Sequence, residues 1–328
     1  EFRRVLFRSS ETPLPVIDTK DIINPVPTDA LVTEISSLQN YHLFTVKDFS
    51  VYCAPTSVIP QMMTEISRLR EITYREVGEG TGKSFDKDKY DDFYSQLFIW
   101  DDTQKKLVGA YRIGMGRYLL QTNGLKGFYI HSLFRIHHKM EPLLNDSLEL
   151  GRSFVVKEYQ KKATPLFLLW KALFVLLINF DYRYLIGPVS ISGLYSPEAK
   201  ALAQHFLYAN FYHEKYARFI KNRNSQKLPF PERIDKKAFI QYVQSDFSKL
   251  DQFISDFDPS YSTPVLVKQY ISLLKTQVLG FNIDPDFNNC LDALMIMDIK
   301  NAPRAFMEML SKDLKDYSKI ETLLNELV

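Results

Sequence analysis

Cysteine is nearly absent: Cys53 and Cys290 are the only two in 328 residues. That excludes a disulfide framework and a cysteine-rich zinc site, and it fits a reducing compartment. Glycine is sparse, and its one dense run, Gly78-Glu79-Gly80-Thr81-Gly82-Lys83-Ser84, carries Val77 where a phosphate loop needs its first glycine. With no strand predicted before it, the run is not read as a nucleotide site. Histidine pairs only at His137-His138; neighbours on a strand point apart, and no third ligand stands at metal spacing, so both are read as surface residues and no metal is expected. None of the histidines is followed by aspartate five positions later, the His-x-x-x-x-Asp arrangement of glycerol-phosphate-type O-acyl transfer, and no Gly-x-Ser-x-Gly elbow occurs. Cys53 has His42 near it in sequence only and is read as structural. Net charge is +2, too balanced to argue for nucleic acid. The most apolar run, Pro165 to Phe180, is interrupted by Lys171 and is short for a bilayer span.

What is present is a folded chain, 45% hydrophobic and 14% aromatic, long enough for one large domain or two ordinary ones. Residues 1–9 include Arg4-Val5-Leu6-Phe7-Arg8-Ser9, identical to a translated sequencing-adaptor sequence, and are read as an assembly scar. Residues 10–35, with Pro13, Pro15, Pro25 and Pro27, read as a linker. Residues 36–215 form the predicted core, and residues 216–328 a helical C-terminal region with a late strand, Asp292 to Ile299, returning to the core. Within the core, Ile59 to Glu71 has helical spacing. Leu97 to Asp101 and Leu107 to Ile113 flank a hairpin turn. Phe128 to Phe134, Ser153 to Val156 and Tyr184 to Ile191 read as strands, and Ser196-Pro197-Glu198 opens a helix. Thr164 is expected to cap a buried helix with Pro165 in its first turn. Helices are expected at Lys236 to Phe257, Pro264 to Leu279 and Pro303 to Val328. The economical assembly is α+β, a mostly antiparallel sheet with helices packed on it.

Glu149 and Arg152 stand in the otherwise apolar stretch Leu148-Glu149-Leu150-Gly151-Arg152-Ser153-Phe154-Val155, where each costs free energy unless partnered. Arg70, Asp88, Asp91 and Arg112 complete a constellation of carboxylates and guanidiniums. The loop from Val77 to Tyr94, carrying Asp86, Asp88 and Asp91, reads either as a lid over a substrate or as a solvated acidic surface. Arg70, Asp88 and Asp91 fit an internal salt-bridge network as well as a binding site.

Arg70-x-x-x-Tyr74, Asp88-x-x-Asp91, Gly109-x-x-Arg112 and Glu149-x-x-Arg152-Ser153-Phe154 resemble, in order, the signature of acyl-homoserine-lactone synthases and of the N-acyltransferases of ornithine-lipid and glycine-lipid synthesis. The second group, often described as hemolysin-like, is the closer resemblance. It extends through Gly187-Pro188-Val189-Ser190 and Gly280-Phe281-Asn282-Ile283-Asp284-Pro285-Asp286-Phe287-Asn288. The resemblance implies a GNAT fold, a mixed, mostly antiparallel sheet whose central strands, Glu149 to Val156 and Tyr184 to Ile191, splay to admit an acyl thioester. It implies a bacterial enzyme that moves a 3-hydroxyacyl chain from acyl carrier protein to the α-amine of ornithine or glycine. Glu149 and Arg152 would be catalytic, with Glu149 accepting the amine's proton; Arg70, Tyr74, Asp88, Asp91, Arg112 and Ser190 would bind substrate. The turn Gln160-Lys161-Lys162-Ala163-Thr164-Pro165 lacks the glycines of a CoA clamp. Val155, Lys157, Lys161 and Lys162 would therefore meet a phosphopantetheine arm on acyl carrier protein, with CoA as the other donor. No permanently bound cofactor is expected. The implied location is cytoplasmic, with peripheral contact at the inner membrane face. Two alternatives stay open: a non-catalytic accessory half of a fusion with an upstream glycerol-phosphate-type acyltransferase domain, and a lactone-synthase-like enzyme.

Overall fold

A computed structural model describes residues 19–224 and 228–311. The sequence places residues 10–35 in a linker, but the described part is packed. Lys20 and Ile23 donate backbone N–H groups to the carbonyls of Gly82 and Ser84 (2.9 and 3.1 Å), Val26 N–H donates to Glu65 (3.2 Å), and α1 (Thr28–Ser36) buries Leu31 and Ile35. The prolines there prevent a strand but not an extended segment with partners. Residues 1–9, 10–18, 225–227 and the predicted helical tail beyond 311 lie outside the described residues.

The N-terminal half lays down β1 (His42–Val46), β2 (Phe49–Pro55), α2 (Pro60–Glu76), β3 (Ser95–Asp101) and β4 (Lys106–Met115) as an antiparallel meander. Next come α3 (Gly116–Asn123), α4 (Ile130–Leu133), β5 (Phe134–Ile136), α5 (Glu141–Asn145), β6 (Ser147–Val155), α6 (Thr164–Asn179) and β7 (Tyr184–Ile191). The expected strand from Phe128 to Phe134 is mostly a short helix, because the N–H groups of Tyr129 and Ile130 are taken by a side chain of β6 rather than by a neighbouring strand. Thr164 is the first helical residue of α6 and not its cap; Ala163 holds that position without a side-chain bond, and Pro165 follows where a missing N–H costs nothing.

After α7 (Pro197–Phe211), capped by the Ser196 hydroxyl, come α8 (Glu214–Ala217), β8 (Ile220–Asn222), α9 (Lys236–Val243), α10 (Phe247–Ser255), α11 (Val265–Leu274), β9 (Gln277–Asp284), β10 (Cys290–Asp298) and α12 (Arg304–Ser311). Two expectations are corrected here. The helix read from 236 to 257 breaks at Gln244, where φ is +46°, and Asp246 caps a second one. The helix read to Leu279 stops at left-handed Lys275, and residues 277–284 form a strand.

The main sheet has eight strands in the order β1-β2-β3-β4-β6-β7-β10-β9. Only β6 and β7 run parallel. The sheet thus takes two of its strands from beyond residue 215, so the core does not end there: β10 pairs with β7 along its whole length, from Leu291↔Ile191 to Asp298↔Tyr184. One hydrophobic cluster fills the α2 and α6 side; a second, with Leu119, Phe128, Ile186 and Leu294, fills the α3 and α4 side. A small apolar pocket beside Trp170, Phe174 and Phe306 contains none of the charged residues discussed below.

Candidate active site

β6 and β7 pair through only three residues, Ser147↔Tyr184, Leu148↔Leu185 and Glu149↔Ile186, and then part. Gly187 sits where they separate: a Cβ there would lie 2.3 Å from the Leu150 carbonyl, so a larger residue would prise the strands apart earlier. On its other edge β6 stays paired with β4 from Leu148 to Val155, interrupted by a bulge between the pairs Arg112↔Gly151 and Ala110↔Phe154. Arg152 occupies the bulge with φ +51°, a left-handed conformation that an arginine adopts only under constraint. The bulge turns its side chain toward the loop between α2 and β3.

That loop is no solvated acidic surface. Arg70, fully buried on α2, pairs with Asp91 through Nη1 and Nη2 (3.2 and 2.9 Å) and lies 2.9 Å from Asp86 Oδ2 through Nε. Arg112 of β4 reaches Asp88 at 2.7 Å and Asp91 at 3.4 Å. Arg152 reaches Asp86 at 3.0 Å and Asp88 at 3.3 Å. The two Nε contacts to Asp86 Oδ2 are close but misaligned, leaving those atoms ion-paired without a hydrogen bond. Three guanidiniums and three carboxylates balance. Burial alone would raise the Asp88 carboxyl; Arg112 and Arg152 outweigh it and hold it low. Asp91, likewise penalised by burial, is pulled far below the usual range by Arg112 and Arg70. Arg112 keeps Nε and Nη2 buried without a partner, and its guanidinium lies over the rings of Tyr90, Tyr94 and Tyr129.

Glu149 is 1% exposed. Its Oε1 accepts from Ile130 N–H (2.7 Å), and its Oε2 accepts from Tyr129 N–H (3.1 Å) and from the Tyr94 hydroxyl. Burial pushes its carboxyl up to about 7, against the lowering effect of the Tyr94 hydroxyl and the backbone donors. Tyr74 donates its hydroxyl to the carbonyl of Ser153 on the parted stretch (3.1 Å). Ser190, on the other wall, donates to Asp292 Oδ1 (2.7 Å). Val155, half-buried, pairs with Gly109 of β4. Lys157, exposed, pairs with Glu76 (2.9 Å); Lys162 lies over the ring of Tyr159; Lys161 is exposed beside them. No metal-competent cluster occurs among the described residues.

Arg70, Asp88, Asp91, Arg112 and Arg152 thus come together in one ion-pair network, Glu149 shares Tyr94 and Tyr129 with Arg112, and the three lysines stand on the exposed turn after β6; sequence reading passed over several others. Tyr94 and Tyr129 hold Glu149, and Asp292, Asp284 and Glu79 gather on the β7 side; Asp86, read in sequence only as part of the acidic loop, joins the arginines. Asp292 carried the same signal as Glu149, a lone carboxylate in an apolar strand, Leu291-Asp292-Ala293-Leu294.

Residues 69–170 match the family model of the acetyltransferase (GNAT) domain. Over 82% of this chain and 83% of the relative, the chain is 27% identical to glycine N(alpha)-acyltransferase of Bacteroides thetaiotaomicron. It is 29% identical to the Phocaeicola vulgatus enzyme of the same name, over 82% of this chain and 86% of that one. It is 32% identical to L-ornithine N(alpha)-acyltransferase of Agrobacterium fabrum over 43% and 49%. The solved structure of TofI in a ternary complex with an inhibitor and MTA covers 78% of this chain and 95% of its own, with a TM-score of 0.35 and 12% identity, a likeness too loose to argue from. A charged network packed against a parted parallel strand pair, a GNAT domain over residues 69–170 and likeness to N(alpha)-acyltransferases over most of the chain together support a GNAT-fold N-acyltransferase.

Proposed function

We propose that this N-acyltransferase moves a 3-hydroxyacyl chain from acyl carrier protein to the α-amine of glycine or ornithine, making a one-chain aminolipid. The parting of β6 from β7 is the observation that carries the reading: after three paired positions the two strands separate in the middle of the eight-stranded sheet, and a pantetheine arm would enter there. Phosphopantetheine would run along Val155 of β6. The turn after β6, Lys157 to Thr164, has no glycine and carries three exposed lysines, Lys157, Lys161 and Lys162. That suits the acidic surface of a carrier protein better than the pyrophosphate of CoA. Backbone N–H groups on the parted part of β6 would polarise the thioester carbonyl.

On the acceptor side, the buried unpaired edge of Arg112 offers Nε and Nη2 to a carboxylate. Arg152 and Arg70, engaged with Asp86, Asp88 and Asp91, hold that loop as the roof, and Tyr74 fixes the parted strand at Ser153. Glycine is the first acceptor to try, since the relatives that match most of the chain are named for it. The product's acyl chain would require release at a membrane surface; no helix among the described residues is long and apolar enough to cross one.

Incubating the protein with 3-hydroxyacyl carrier protein and glycine, ornithine or serine tests the proposal. Mass spectrometry should find an N-acyl amino acid, and 3-hydroxyacyl-CoA should support turnover more weakly. Absence of product with every acceptor would refute it, and activity of this chain alone would separate it from the accessory-half reading.

A further inference from the structure

Cross-strand partners share a face of a sheet, as do residues two apart on one strand. By the pairs Gln96↔Arg112, Arg112↔Gly151, Asp292↔Ser190 and Asp292↔Asn282, and by Glu149↔Ile186 across the parallel pair, one polar row crosses the sheet on the α3 and α4 side. The row is broken only where β6 and β7 part. Above Gly151 there is room: a Cβ built there would meet a single atom within 4 Å, Arg112 Nε at 3.8 Å. That atom and Arg112 Nη2 are buried without partners, on a side chain with no exposure. An unmatched guanidinium edge facing an open space points to an anionic group of a ligand. Across the parting stands Asp292, 3% exposed, whose Oδ1 accepts from Ser190 and Cys290 (2.7 and 3.5 Å). Its Oδ2 accepts no hydrogen bond from the described residues. Glu149, by contrast, has both oxygens occupied by Tyr94, Tyr129 and Ile130.

We propose that the acceptor amino acid bridges the parting: its carboxylate lies over Gly151 against Arg112, and its ammonium is held by Asp292, which takes the proton. The inference rests on the amino-acid acceptor proposed above and names the residue that activates it. In the step, the ammonium gives one proton to the Asp292 carboxylate and the freed amine attacks the thioester carbonyl. The C–N bond forms, the C–S bond breaks, and the pantetheine sulfur leaves with the second proton of the amine as a thiol. Tyr129 links the two ends, with its ring over both Arg112 and Arg152 and its hydroxyl donating to Asp284 Oδ2 at 3.2 Å. Glu149 is then a positioning residue that fixes the Tyr129–Ile130 turn.

The groups facing Asp292 are Ser190 from β7, Cys290 from its own strand, Asp284 and Asn282 from β9, Glu79 from the loop after α2, and Arg152 from β6. Burial is the main cause that pushes its carboxyl up to about 7, with Asp284 adding to it and Arg152 opposing. An acid of that strength accepts a proton from an amine near neutral pH and surrenders it to solvent afterwards.

The experiment is steady-state acylation of glycine by the full chain and by Asp292→Asn, from pH 6 to pH 9.5. Asp292→Asn should lose on the order of 100-fold in kcat near pH 7. Its rate should climb about tenfold per pH unit as the free amine becomes available, and Asp292→Glu should restore part of the loss. A variant within threefold of the parent with the same pH profile would overturn the inference and leave the N-acyltransferase reading intact; an inactive parent chain would overturn both. Should Asp292→Asn not fold, Gly151→Ala decides: the acceptor KM should rise at least tenfold with the donor KM unchanged, and an unchanged acceptor KM overturns the placement.

Discussion

A hydroxyl and two backbone N–H groups hold Glu149 in an apolar setting, so each donor should matter separately. Tyr94→Phe removes one donor and leaves a buried oxygen short of a partner, which should cost about 1–3 kcal/mol in urea unfolding. Because the Tyr129 turn loosens with it, turnover should fall while donor KM stays put. Glu149 and Arg152 were legible in the sequence, since a charge inside an apolar strand must have a reason. What the reason was could not be read there. Glu149 proves to be caged, its partners lying 19 to 55 residues upstream, and nothing in its neighbours' identity announces that. Asp292 showed the same anomaly, but it was read only as the start of the late strand, since no quoted motif includes it.

At the level of the element, the loop between α2 and β3 depends on α2 for its shape. Arg70→Ala would leave Asp86 and Asp91 buried opposite nothing on that side, a loss of about 3–5 kcal/mol in denaturant unfolding. Limited proteolysis should then cut between Gly78 and Tyr94, where the parent chain resists. The acidic loop was expected as a lid or as solvated surface because local composition reports charge and not partners. All three of its arginine partners come from other elements. The helix read for 264–279 overshot for a related reason: Gln277-Val278-Leu279 continues the apolar spacing of α11, and only pairing with β10 makes it a strand. Strands β3, β4, β7 and β10 announced themselves by alternation or by apolar, β-branched runs. The short helix at Ile130–Leu133 did not, because it exists to aim two N–H groups at Glu149.

For the molecule as a whole, the buried acids act in opposite directions. Asp88 and Asp91 are held low, so they add stability that is complete above the ordinary aspartate value near about 3.9 and is lost as pH falls through their lower native values. Glu149, Asp292 and Glu79 are pushed up to about 7. Between the unfolded values near about 4 and pH 7 the native state binds more protons than the unfolded one, so stability declines as pH rises through that window. The melting temperature should therefore peak in mildly acidic buffer, falling on both sides. Replacing Glu149 by Gln should flatten the alkaline limb, and differential scanning calorimetry from pH 3 to pH 9 would read both limbs.

The pairing of β10 along the full length of β7 also governs how the chain comes off the ribosome. Until residue 298 has emerged, β7 waits about a hundred positions with one side of its backbone unmatched, a sticky rim that invites pairing between nascent copies. A chain terminated after Lys275 should therefore be made as inclusion bodies, whereas one terminated after Ser311 keeps every strand of the described residues and should stay in the clarified lysate.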